Sequence, residues 1–281
     1  MVGVLVLVAL QVSADKTAPG CIEGQTASPP RPANSPSRLT YGPGPWFEGA
    51  RVEDFPEVIE LAPGDIGEVC DPVGGEETVI ALTAHNEDAA RHCPPAPAYC
   101  NRNPRAQLGT GYFLDEGSEF WIQTKFLVPD DFPAGTEWQD LLSVYGPPYA
   151  GSAPWHLEIK DDALSWERTK EHSYDVPFQR PLERGGWTTV LVHERLARSD
   201  EGWVEMWIDG EPIAFFGPSS PHNPDHEPET TKLTMSTIDH TNDGGPNNVR
   251  IENYRQRGTP GAGTIYFGPL LVGPTRAGVE F

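Results

Sequence analysis

Between Glu119 and Thr169 the chain alternates apolar and polar residues in three runs separated by turn residues. A strand sends successive side chains to opposite faces, so each run predicts a strand with one greasy and one polar face. In Glu119–Val128, Phe120, Ile122 and Phe126 share one parity, and Trp121, Gln123 and Lys125 the other. In Trp155–Lys160, Trp155, Leu157 and Ile159 oppose His156, Glu158 and Lys160. The same division separates Val190 and Val192 from Leu191, His193 and Arg195, and Val249 and Ile251 from Arg250, Glu252 and Tyr254. If these four strands are neighbours, their polar members pave one concave surface.

Further strands are expected at Thr78–His85, Gly111–Leu114, Trp138–Tyr145, Ala163–Thr169, Gly202–Ile208, Pro212–Phe216, Lys232–Ile238 and Thr264–Val272. The pairs Asp161-Asp162 and Asp209-Gly210 are turn signals between strands. No window carries a capped i, i+3, i+4, i+7 stripe, so little helix is expected. The fold class is therefore all-β, an antiparallel β-sandwich of the jelly-roll kind. Composition agrees, because 29 Gly and 30 Pro suit short strands and turns.

Residues 1–14 read as the apolar core of a signal peptide ending in a small-residue cleavage site, although no Lys or Arg precedes it. This predicts a secreted chain with no membrane attachment after processing. Residues 15–45 are rich in Pro, Ser, Ala and Gly and read as an arm or linker. Residues 46–281 read as a single jelly-roll domain, expected to be a monomer. Cys21, Cys70, Cys93 and Cys100 are even in number, so an exported chain predicts two disulfides, with three connectivities open. Zinc is the rival use of these thiols, with His85 and His92 nearby, but no paired C-x-x-C supports it. A formal net charge of −21 argues against a nucleic-acid partner, which needs a basic footprint.

A polar strand ladder with interleaved rings suits a saccharide. Trp121, Trp166 and Tyr254 are candidates to stack on sugars, although Trp also fills cores. Four ordered landmarks sharpen this reading. They are FWIQTKFLVPDDFP with WQDLLSVYG, WHLEIKDDALSW, GGWTTVLVHERL with GWVEMWIDGEPI, and VRIENYR with GTIYFGPLLVG. Over roughly residues 75–273 the chain resembles the heparin-lyase-I-like polysaccharide lyases, a family that includes glucuronan lyase and has a concanavalin A-like jelly roll. The resemblance implies β-elimination on an acidic, uronate-containing polysaccharide. That reaction needs a carboxylate-neutralising group, a base for the C5 proton and an acid for the leaving oxygen.

Tyr254 matches the family's motif tyrosine and is the candidate for proton transfer, with His156 and His193 as base or positioning groups. Gln123, Lys125, Lys160 and Arg250 are candidates to hold the carboxylate, and Glu158 lies among them on the polar face. Two positions depart from the family pattern. Ser143 and Tyr145 stand where members often carry Gln and His, and Asn253 stands where Gly often precedes the tyrosine. No organic cofactor is implied. Ca²⁺ is a candidate ligand of the oxygen-rich loop Asp239–Asn248, whose spacing is not that of an EF-hand. Two other functions fit the same fold. One is a non-catalytic carbohydrate-binding protein. The other is a glycoside hydrolase, which needs paired carboxylates, whereas Lys160 occupies the place of the second acid in HLEIKDD.

Overall fold

The computed structural model describes residues 45–60, 65–75, 77–85, 103–133, 137–146, 152–170, 173–223, 225–239, 245–259 and 261–281. The signal-peptide segment, the arm before residue 45, Cys21, His92, Cys93, Cys100 and loop residues 240–244 lie outside them. Among the described residues, no helix is long and apolar enough to cross a membrane.

The described chain is almost entirely antiparallel strand, arranged as a jelly-roll sandwich of two sheets. The strands are β1 (Phe47–Gly49), β2 (Glu57–Glu60), β3 (Ile66–Cys70), β4 (Thr78–His85), β5 (Arg105–Gly109) and β6 (Glu119–Leu127). Next come β7 (Gln139–Tyr145), β8 (Trp155–Lys160), β9 (Ala163–Lys170), β10 (Ser173–Pro181), β11 (Trp187–Arg195) and β12 (Trp203–Ile208). The last five are β13 (Glu211–Pro212), β14 (Leu233–Thr234), β15 (Asn248–Arg255), β16 (Ala262–Phe267) and β17 (Leu270–Gly273).

The first sheet has the order β13-β12-β11-β6-β16-β4-β3, with β1, β14 and β17 attached. The second runs β10-β9-β8-β7-β15-β5-β2. Their inner faces bury one core, including Phe120, Ile122 and Phe126 from the first sheet and Trp155, Leu157 and Ile159 from the second. The alternation that predicted these strands is thus the alternation that fills the core.

The turn signals act as expected. Asp161 and Asp162 take positive φ (51° and 59°), and so do Asp209 and Gly210 (54° and 85°), the pattern of a tight hairpin turn. Asp209 Oδ1 also accepts from Thr189 N at 2.8 Å, tying its turn to the neighbouring strand β11.

Several expected strands change shape. Gly111–Leu114 contributes only an isolated bridge, Leu114 to Asn247. Pro212–Phe216 and Lys232–Ile238 shrink to the two-residue strands β13 and β14, and Thr264–Val272 divides into β16 and β17. The unexpected β10 is an edge strand, and a register shift between Asp175 and Phe178 absorbs Pro177. Proline tolerates such a place because it donates no ladder hydrogen bond.

Candidate active site

The outward side of the second sheet holds the chemistry. In β15, alternate positions send Asn248, Arg250, Glu252 and Tyr254 to this side. In register, Arg250 pairs with Ser143 and Gly109, Glu252 with Gln107, and Tyr254 with Asp140 and Arg105. In β8, His156 pairs with Ser143 and Glu167, and Glu158 with Asp140 and Ser165. A bulge at Leu141 puts Asp140 and Ser143, three positions apart, on the same side.

Although this layer points away from the core, much of it is sealed from solvent. Glu252 is 0% exposed, Glu158 1%, Asp140 3%, His156 5% and Tyr254 7%. Asp140, His156 and Glu252 bring ligand-type atoms within 4.8 Å of one another. His156 Nδ1 lies 3.2 Å from Asp140 Oδ2, and its Nε2 lies 3.3 Å from Ser152 Oγ. Glu252 accepts hydrogen bonds from both Ser143 Oγ and Gln107 Nε2.

Crowding of carboxylates dominates the electrostatics. Burial, with Asp140 as the next cause, lifts Glu252 to about 7. Burial alone lowers the His156 imidazole, but Asp140, then Glu252 and Glu158, override it and raise the group to about 9. Glu158 lies well above the usual carboxylate range because it is buried and faces Glu167 and Asp140. Burial and the charges of Glu252 and Asp140 hold Tyr145 as a neutral phenol, with Tyr254 contributing in the same direction.

Two cations flank the tyrosines. The Arg105 guanidinium lies 4.4 Å from the centre of the Tyr254 ring, and that of Arg250 lies 4.5 Å from the Tyr145 ring. Asn103 Nδ2 donates to the Tyr254 hydroxyl at 3.2 Å, and Trp138 packs edge-on against the ring. Glu57 holds Arg250 through two hydrogen bonds of 2.7 and 3.1 Å.

The structure gathers Tyr254, His156, Glu158, Lys160 and Arg250 on this side. It does not bring in the rest. Trp121, Gln123, Lys125 and His193 sit on β6 and β11 of the first sheet, on the far side of the sandwich. There His193 stacks on Trp121 at 3.9 Å and bridges Glu205 (3.0 Å) and Glu119 (3.1 Å). Lys125 pairs with Glu77 and lies over Trp187, and Gln123 is buried between the Leu191 and Leu271 positions. The single shared surface expected from four strands is therefore two surfaces. Alternation gives a strand its faces but not its neighbours.

Trp166 is a second correction. It is 0% exposed, in register with Leu157, and packs on Trp155 and Phe215 in the core. Its parity with Leu164 carried that signal. Of the four cysteines, Cys70 alone is described, at the end of β3.

Sequence reading missed Arg105 and Gln107, because β5 was not recognised as a strand. It missed Asp140 because the bulge breaks its parity with Ser143.

A family model described as Polysaccharide lyase matches residues 45–268. Among solved structures, an endo-β-1,4-glucuronan lyase from the fungus Trichoderma reesei is 16% identical, with a TM-score of 0.60. That alignment covers 84% of this chain and 98% of the fungal one, and it supports the fold. The alginate lyase AlgAT5 of polysaccharide lyase family 7 is more distant, at 11% identity and a TM-score of 0.47 over 73% of this chain and 81% of its own. No curated protein matches. The match spans both sheets and every strand of the candidate site, and the chain belongs to the polysaccharide lyase family.

Proposed function

We propose that this protein is a secreted lyase that cleaves a uronate-containing polysaccharide by β-elimination, with the outward side of the second sheet as its active site. The observation that carries this reading is the meeting of Tyr254, Tyr145, Arg105 and Arg250 above the buried Asp140–His156–Glu252 cluster.

In the proposed reaction, Arg250 pairs with the uronate carboxylate and makes the C5 proton acidic. Tyr254, whose ring lies against the Arg105 guanidinium, takes that proton. The C5–H electron pair forms the C4–C5 double bond as the C4–O bond breaks. Tyr145, held neutral, returns a proton to the departing oxygen. No organic cofactor takes part, and any role of Ca²⁺ is tested by adding it. Secretion rests on the N-terminal apolar run, and two disulfides on the even cysteine count; intact mass with and without reductant reads the latter.

The test is incubation with glucuronan, alginate and heparan at several pH values, with and without Ca²⁺, following unsaturated product by ultraviolet absorbance. Product from at least one polymer, lost in Tyr254→Phe, is expected. Absence of product from all of them removes the proposal. A binding-only reading draws on Ser143, whose hydroxyl is spent on Glu252 rather than offered to a ligand. It predicts saturable glycan binding that is indifferent to Tyr254→Phe.

A further inference from the structure

We propose that Asp140, His156 and Glu252 form a binding site for a first-row divalent cation, with Zn²⁺ as its best fit, in the buried layer on the outward side of the second sheet. The inference does not depend on the lyase reading, because it concerns what the three side chains bind and not which polymer the protein cleaves.

The argument begins with an excess of acceptors. One ligand atom from each of the three residues falls within 4.8 Å of the others. Atoms bound to a common zinc at about 2.0–2.2 Å lie somewhat closer together than this, so a shift of less than about an ångström seats the ion. Ser143 and Gln107 are the hydrogen-bond donors to Glu252, one to each carboxylate oxygen, and each oxygen keeps a lone pair.

Among the described residues, two buried atoms beside the cluster, Gln107 Oε1 and Glu158 Oε1, have no hydrogen-bond partner, and His156 Nδ1 faces only the Asp140 carboxylate, at 3.2 Å. Gln107 is opposite Glu252 and Glu158 is opposite Asp140, so both border the three ligands. Buried polar atoms are rarely left unmatched. A positive ion held by the three ligands would offset the excess of buried acceptors around it.

The imidazole is set up for ligation. Ser152 Oγ lies 3.3 Å from His156 Nε2 and can accept its proton, which leaves the Nδ1 lone pair facing the carboxylates. A ligating histidine typically donates its other ring N–H in this way. One nitrogen and two carboxylate oxygens suit Zn²⁺ or Mn²⁺ better than Ca²⁺, which takes all-oxygen shells. Without a metal, a proton on Nδ1 supplies the positive charge at 3.2 Å from Asp140, and the metal displaces it.

The test uses the full chain after chelator treatment and desalting. Zn²⁺ alone is titrated by calorimetry, bound metal per chain is counted by elemental analysis, and Co²⁺ is added as a spectroscopic probe. Expected are one tight site per chain, visible d–d absorption of the Co²⁺ form and a raised melting temperature. Asp140→Asn and Glu252→Gln each weaken Zn²⁺ binding at least tenfold, and Ser152→Ala weakens it by roughly tenfold through loss of the Nε2 partner. A wild-type protein that binds no Zn²⁺ overturns the proposal, whatever the variants do. So does binding that survives unchanged in a folded Asp140→Asn/Glu252→Gln double variant, which assigns it to surface carboxylates.

Discussion

Glu194 makes the sharpest energetic prediction. It lies on the inner side of β11, in register with Phe120 and Val204, and is 0% exposed. Among the described residues, its carboxylate accepts one hydrogen bond, from Trp155 Nε1 at 3.2 Å, and its other oxygen has no hydrogen-bond partner. Burial lifts its pKa from 4.5 to about 8, with the Trp155 contact opposing. The folded value is raised, so the folded state binds more protons than the unfolded one between these two values. Stability from this group is complete below the unfolded pKa and declines as pH rises toward about 8. The slope is about 1.36 kcal/mol per pH unit, so about 4 kcal/mol is lost between roughly pH 5 and 8. Glu194→Gln removes the titration but nearly preserves the shape. Urea unfolding of both proteins across this range should therefore give a stability difference that grows steadily in favour of the variant. The other buried carboxylates titrate equally in both and cancel. Parallel stability curves, with a difference constant to within about 1 kcal/mol, would refute a buried neutral carboxyl at this position.

Three further outcomes test the two faces of the sandwich and its core. Tyr254→Phe should lower turnover of a cleaved polymer by at least about a hundredfold in a variant that still folds, while losing only about 1 kcal/mol of stability with the Asn103 hydrogen bond. His193→Ala should leave turnover within about threefold of wild type, since its partners Trp121, Glu119 and Glu205 are on the far sheet; a larger kinetic loss in a folded variant contradicts that placement. Trp166→Ala should cost about 3–5 kcal/mol in urea unfolding, as expected for a large ring removed from a close-packed core; a cost near zero would return Trp166 to the surface.

Local signals were legible where they are local. Alternation marked the inner and outer members of β8 and β15, and the aspartate turns marked two hairpins. Strand neighbours are set by contacts distant in sequence, so β6 and β11 could not be assigned to a sheet from their own residues. Asp140 was hidden by a single inserted residue in β7, and Arg105 and Gln107 by a strand of only five residues. Trp166 was readable in principle, since its pairing with Leu157 follows from the Asp161-Asp162 hairpin register. The departures at Ser143 and Tyr145 were visible in sequence. What Ser143 does was not, because its partner Glu252 lies 109 positions away.

The prolines and kink of β10 carry a consequence for handling the protein. An open sheet margin is a template on which a second molecule can extend the ladder. At this margin Pro177 and Pro181 remove donors, and the slip between Asp175 and Phe178 breaks the spacing that an incoming segment must match. The Val176 and Pro177 carbonyls already accept from Ser220 Oγ and Phe216 N, so this strand offers few open ladder groups and seeded aggregation through it should be slow.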